Sequence, residues 1–190
     1  MELFCSLFYQ EVQHTSALGA SLRIVPSLVV GFVLQLTTGL LVHRGNPYVL
    51  VLTALILSAG SPLLMALISA QWPYWYAAFP AQLLEPLSCD ILYTIGLLAV
   101  SESFPPETQA LAGAVFNTVA QFGGSLGLTV MAVVAAAVTN NKGDPRKGQE
   151  QNLLIGYRAS FWTAFACMGL ACLIGAFGLR RMGKVGLKKD

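Results

Sequence analysis

The chain has 190 residues, of which 55% are hydrophobic and 11% charged, with a formal net charge of +2. An average soluble domain carries roughly 25% charged residues, so there are too few polar side chains here to cover a water-soluble surface, and the composition points to an all-α integral membrane protein. The small charge excludes nucleic-acid binding by phosphate neutralisation and leaves no acidic or basic solvating tail of any size.

A helix that crosses some 30 Å of hydrocarbon needs about 20 mainly apolar residues. Residues 1–8 are apolar but too short to span. Together with the loop up to residue 16 they read as a partial helix followed by an outer loop, with a short interfacial segment as the alternative. Glu2 stands where a signal peptide would carry basic residues, and no small-residue cleavage site follows. Five long apolar stretches come next, at residues 17–42, 48–69, 74–101, 111–139 and 160–179. In lipid every backbone polar group must be satisfied internally, which makes these stretches helices of one bundle. Their continuous apolar runs exclude the period-two alternation of a barrel.

The breaks agree with the spans. His43-Arg44-Gly45-Asn46-Pro47 is a tight polar turn, and Gln71-Trp72-Pro73 is another. Trp72, Tyr74, Trp75 and Tyr76 form an aromatic belt suited to a lipid–water boundary. Pro105 and Pro106 mark the third break, and residues 140–157 form the longest connection, with Lys142, Asp144, Arg146, Lys147 and Glu150. The basic cluster of Arg180, Arg181, Lys184, Lys188 and Lys189, within the tail 180–190, places the C-terminus in the cytoplasm. Counting back puts Arg44 inside as well and puts residues 140–157 outside, against the sign of Lys142, Arg146 and Lys147. The expected location is the plasma membrane, with the vacuolar membrane as the alternative.

A charge at the centre of a membrane helix costs about 2.5–3.5 kcal/mol on insertion scales, so each one is a candidate functional group. Arg23, Glu85 and Asp90 fall in this class. Asp90, with Tyr93 one turn further on, reads either as a proton- or substrate-facing carboxylate in a wet cavity or as an acid locked in helix packing by neighbouring hydroxyls. Glu85 lies five positions before Asp90 and so points to a different face. Pro80 and Pro86 are expected to bend this helix. Arg23 and Glu85 are expected to form a structural or gating ion pair between the first and third spans. In the fourth span Gly113, Asn117, Gln121 and Ser125 form one stripe at four-residue spacing, beside Gly123-Gly124-Ser125-Leu126-Gly127. The stripe reads as close helix packing, and Asn117 and Gln121 alternatively as lining for a substrate.

Enzymatic readings find no support. Cys5, Cys89, Cys167 and Cys172 form no Cys-x-x-Cys pair and read as small hydrophobes. His14 and His43 sit in connections without a catalytic or metal-ligand partner at a plausible spacing. No phosphate-binding glycine loop with lysine occurs, nor any Asn-x-Ser/Thr acceptor. No cofactor or metal is expected, and a membrane-embedded lipid transferase would need clustered His, Asp or Glu that the chain lacks.

The order of these features resembles the C-terminal portion of a major facilitator superfamily transporter, and more narrowly the fungal drug:proton antiporters of about 14 spans. The residues that carry the resemblance run nearly the whole length. Phe8-Tyr9-Gln10-Glu11-Val12-Gln13 and then Ala20-Ser21-Leu22-Arg23-Ile24-Val25-Pro26 resemble a helix end, an outer loop and the next helix start. Gly39-Leu40-Leu41-Val42-His43-Arg44 is similar to a degenerate copy of the family's cytoplasmic loop motif, of which Gly39 and Arg44 are the matching positions; the family often has an acid where His43 stands. Tyr74-Trp75, Phe79-Pro80-Ala81 and Asp90 resemble a later external start with its buried acid. The most specific segments are Pro105-Pro106-Glu107-Thr108-Gln109-Ala110-Leu111-Ala112-Gly113 and Gln121-Phe122-Gly123-Gly124-Ser125-Leu126-Gly127. The resemblance implies a secondary transporter that exports small organic molecules in exchange for protons, with Asp90, Tyr93, Asn117 and Gln121 on the substrate or proton pathway. Alternating access needs two bundles rocking about a midplane site. The expectation is therefore a fragment, or a half that works with a missing N-terminal half or another transporter chain. A non-transporting membrane protein that assembles with or regulates a transporter is the alternative.

Overall fold

The computed structural model of the chain describes residues 1–41, 46–143 and 148–178. Helix α1 (Glu2–Leu7) runs directly into a π-helical turn (Phe8–Val12). It is followed by α2 (Ala17–Leu41), α3 (Pro47–Leu67), α4 (Ala78–Ser103), α5 (Gln109–Lys142) and α6 (Gln149–Gly178), with no strand among the described residues. Helices α2 to α6 are each long and apolar enough to cross a membrane. The expected all-α membrane fold, five spans preceded by a partial helix, is the fold observed. Residues 42–45, including Arg44 of the expected loop motif, and the tail 180–190 lie outside the described residues, as do Asp144, Arg146 and Lys147.

Local signals account for the helix limits. The Asn46 side chain accepts a hydrogen bond from the Tyr48 N–H at 3.1 Å, and Pro47 takes the first helical position, where its missing N–H is no loss. Pro26, Pro62 and Pro86 each lie inside a helix that continues through them. α4 thus remains one helix past the expected bends. α3 is the middle of the bundle, packed on α4 and α6; α2 lies on α4, and α5 lies on α6 with a lighter contact to α4.

The main core gathers where α1 meets the ends of the other helices. Phe4, Cys5, Phe8, Tyr9 and Val12 are buried against Met65, Ala66 and Ile68, against Ala77, Ala78 and Ala81, and against Met131, Ala135, Tyr157 and Phe161. α1 and the turn after it bury the face that carries Phe4, Cys5 and Phe8 and leave Glu2 and Leu3 exposed. A second cluster, Val51, Ala54, Leu55, Ile91 and Ile95, holds α3 to α4 nearer the opposite end.

Two differences from the sequence expectation have clear physical causes. First, α6 begins at Gln149, not near residue 160, so most of the expected long connection is helix. Its polar first turns carry anchors: Leu153 and Leu154 pack on the core, and the Tyr157 hydroxyl donates to the Glu11 carboxylate. Arg158 donates from Nε at 2.8 Å and from its terminal nitrogen at 2.5 Å to the Ile68 carbonyl, just past the end of α3. Such a carbonyl has no partner within its own helix. Arg158→Leu is expected to cost about 1.5–3 kcal/mol, the range for hydrogen bonds to charged groups. A thermal melt in detergent checks this, and an unshifted midpoint would exclude a stabilising role for the contact.

Second, the stripe of Gly113, Asn117, Gln121 and Ser125 meets a neighbour at its start, where Gly113 lies beside Leu97 and Asn117 accepts from Tyr93 of α4, and not beyond it. A Cβ added at Gly123, Gly124 or Gly127 would meet nothing within 4 Å, and Asn117, Gln121 and Ser125 are exposed. The close contact lies further along, where Met131, Ala135 and Thr139 face Asn152, Gly156 and Ser160 of α6. Ser160 Oγ donates to the Met131 carbonyl at 2.6 Å, and Thr139 Oγ1 to the Asn152 carbonyl at 3.5 Å. Helix-packing faces are chosen by small residues on both partners, and α6 offers its own at Gly156 and Ser160.

Candidate functional site

A cleft of about 690 Å³ opens between α1, α2, α4 and α5. Its α2 wall is built from Ser27, Gly31 and Gln35, spaced four apart and therefore stacked on one face. Its α4 wall is Glu85, Pro86, Cys89 and Asp90, and Glu2 closes the α1 side. Gly124 and Leu128 form the α5 wall.

Asp90 is the centre of this geometry. Gln35 Nε2 donates to its Oδ1 at 3.5 Å. A Cβ at Gly31 would stand 2.7 Å from its Oδ2, so the carboxylate occupies the space that a side chain there would fill. Glu85 opens on the same cleft but looks toward α1 and α3, as its five-residue offset from Asp90 requires. Its Oε1 lies 3.8 Å from the Met1 amino nitrogen, and Ser27 Oγ donates to Glu2 Oε1 at 2.9 Å beside it. Behind Glu85, Ser58 and Ser88 share a buried hydroxyl pair at 2.8 Å. The cleft thus presents carboxylates and one amide in an otherwise apolar wall, an arrangement that can exchange protons or hold a small molecule with hydrogen-bond donors.

The structure also brings Tyr93 and Asn117 together. The Tyr93 hydroxyl donates to Asn117 Oδ1 at 3.4 Å, and its ring lies 5.6 Å from that of Phe116. Gln121 is exposed one turn further along α5, on the stripe that continues to Gly124 and Leu128 in the cleft wall. Gly39 lies near the far end of α2, with nothing within 4 Å of a Cβ built there.

The expected Arg23–Glu85 pair is corrected. Arg23 donates to Gln13 Oε1 at 2.6 Å, and its guanidinium lies 5.3 Å from the Tyr9 ring centroid and 5.7 Å from that of Tyr74. Tyr74 in turn donates its hydroxyl to the Arg23 carbonyl at 2.7 Å. A long basic side chain with a wet end available turns toward it and keeps its stem in the apolar region. Gln13, half-buried at the end of the bundle, supplies that end, and the Tyr9 and Tyr74 faces supply cation–π attraction. Burial pushes the Tyr74 hydroxyl above its ordinary range, and the neighbouring guanidinium opposes the shift. Nearby, His14 Nε2 lies 2.6 Å from Glu150 Oε1, so this end of the bundle is laced together by polar contacts.

Sequence reasoning missed Ser27, Gly31, Gln35 and Glu2. The first three carried a readable signal, small and polar residues at four-residue spacing in an otherwise apolar helix; Glu2 carried none.

No family model matches the chain. Among curated proteins, MFS-type transporter 1 of Pyricularia oryzae is 40% identical over 203 aligned positions, which take in 97% of this chain and 33% of that protein. This chain belongs to the major facilitator superfamily. Other curated proteins that match are the low affinity ammonium transporter of Saccharomyces cerevisiae, 25% identical over 89% of this chain and 31% of its own length, and the efflux pump terJ of Aspergillus terreus, 26% identical over 86% and 30%. The chain spans about a third of the length of the curated relatives it matches. Its partial helix and five spans are consistent with the C-terminal bundle of a major facilitator.

Proposed function

We propose that this chain forms one wall of the transport cleft of a secondary transporter that moves small organic molecules across the membrane in exchange for protons, with Asp90 as the carboxylate that gains and loses the proton. The observation that carries this reading is the Asp90 environment: an acid within a membrane helix, facing a cleft, held by one amide, with Gly31 leaving its second oxygen free of a blocking side chain. A purely structural acid at such cost would be expected to be closed off by packing. Tyr93, Asn117 and Gln121 extend the polar lining along α4 and α5. The efflux and transport names of the relatives support the same class of activity.

Rocking about a midplane site needs a second bundle. The partner we propose is another helical bundle seated across the open side of the cleft, where α5 is exposed from Asn117 through Leu126. In this reading the C-terminus is cytoplasmic, the loop between α3 and α4 faces outward, and the membrane is the plasma membrane.

The test is Asp90→Asn in a vesicle assay in which a pH gradient drives substrate movement. Accumulation driven by the gradient is expected to fall to the level seen without a gradient, while substrate exchange at equal concentrations persists, because the amide keeps the shape and loses the titration. Unchanged dependence on the gradient would remove Asp90 from the mechanism.

A further inference from the structure

A second set of polar side chains runs inside the bundle and meets the cleft only at Glu85. Cys5 and Tyr9 lie four apart along α1 and its π-helical turn, and Gln82 and Glu85 lie three apart along α4, so each pair shares a helix face. Tyr9 and Gln82 are fully buried, at 0% exposure. Yet the Tyr9 hydroxyl, both polar atoms of the Gln82 amide and Glu85 Oε2 have no hydrogen-bond partner among the described groups. The Gln82 amide is near enough to the Cys5 thiol on one side and the Tyr9 hydroxyl on the other to act on both electrostatically, but neither contact has the distance and angle of a hydrogen bond. One end of this seam is open, and the other stops one side chain short of an opening. Glu85 lines both the cleft and a second cavity of about 520 Å³ between α3, α4, α5 and α6. The Tyr9 ring lies against Arg23 and, at 6.2 Å, against Tyr74, which with Gln13 line a third cavity of about 490 Å³ at the end of the bundle where α3 joins α4.

Buried polar atoms in folded proteins are paired with protein or with water, because leaving them bare is strongly disfavoured. A site with several such atoms and a polar opening is one that water enters. We infer that Tyr9, Gln82 and Glu85 hold a buried thread of water that carries protons between the cleft and the Arg23 end of the bundle. Glu85 is its inner terminus: its carboxyl releases a proton to the adjoining water as the next oxygen along passes one on. The Tyr9 hydroxyl donates one proton and receives another. Gln82 does not change protonation; its Nε2–H groups donate and its Oε1 accepts, which orients the water, so it is a positioning residue. The ionisable groups that face Glu85 are Glu2 on the α1 side, with Cys5 beyond it, and Cys89 and Asp90 on its own helix. Those that face Tyr9 are Cys5, Tyr74 and Arg23. The thread rests on the proton-coupled reading for its use, since it would give that carboxylate cleft an exit to one side of the membrane.

Hydrogen–deuterium exchange of the Glu85 carboxyl, in vesicles held at a pH low enough to protonate it, tests it. The full chain in lipid vesicles is moved into heavy water, and the infrared carbonyl band that Glu85→Gln removes is followed in time. Tyr9→Phe and Gln82→Met, each of which deletes one link of the thread, are each expected to slow the exchange about tenfold. Phe8→Leu, a change of buried volume on the same turn, is expected to leave it unaltered. Exchange at the normal rate in both link variants would overturn the inference, and so would equal slowing in Phe8→Leu. Tyr9→Phe removes only a hydroxyl, so it decides the matter should Gln82→Met fail to fold. No transport is needed for this readout, and it can therefore fail while Asp90 keeps its role, or succeed while Asp90 loses it.

Discussion

Gly31→Val is expected to reduce gradient-driven transport roughly ten- to hundredfold while leaving the helices folded, on the usual range for overpacking a tight site converted to a rate. The argument is steric. A Cβ at position 31 would lie 2.7 Å from Asp90 Oδ2 and 3.5 Å from Pro86 Cβ. The proline ring is rigid and belongs to α4, so it is the carboxylate that must turn away, and with it goes the contact to Gln35. Helix formation itself does not suffer, because glycine is the poorer helix former of the two. Gly39→Val on the same helix is the matched control, since a Cβ there meets nothing within 4 Å. Equal transport by the two variants in cells or vesicles would show that Asp90 does not need the space Gly31 leaves.

The second large effect concerns stability. Gly156→Ala is expected to destabilise the chain by about 1–3 kcal/mol through overpacking, outweighing the helix-propensity gain of about 1 kcal/mol. Its Cβ would stand 2.6 Å from the Ala135 carbonyl oxygen and closer still to Thr139 Oγ1. A threonine side chain can rotate, but a backbone oxygen in the middle of α5 moves only if the helix moves. The two helices would have to separate, and the Ser160–Met131 hydrogen bond at 2.6 Å would lengthen with them. Gly127→Ala has open space around it and is expected to change stability in the opposite direction, toward a gain. Thermal midpoints in detergent read both. Should Gly156→Ala melt higher than the parent, as Gly127→Ala is expected to, the close approach of α5 and α6 is not what holds them.

Much of the fold was legible in the chain because lipid leaves few choices. Runs of about 20 apolar residues must be helices, and the turns at Asn46-Pro47 and around Trp72 are written in residues that end or start helices. Asp90 stood out as a candidate for a related reason: an acid in such a run is costly to place. The α6 start was not legible. Residues 149–158 are polar enough to read as loop, and what makes them helical is their docking, Leu153 and Leu154 on the core and Arg158 on the Ile68 carbonyl. Nor was the partner of Arg23. Sequence distance and estimated depth matched it to Glu85, but α1 and its π-helical turn lie in the core beside both, and Tyr9 and Gln13 claim the guanidinium first.

The sequence by itself determined that the chain is a bundle of membrane-crossing helices with ionisable groups hidden among them, since composition and run length are set one residue at a time and need no neighbours. Tertiary structure alone decided which faces meet: that Gly31 makes room for Asp90, that Gly156 and not the Gly123–Gly127 run carries the tight helix contact, and that Arg23 turns to two tyrosines. The physical reason is that membrane helices of similar apolarity gain little from one facing over another. The choice falls to close steric fit and to a few hydrogen bonds, which depend on side chains far apart in the chain arriving at the same place.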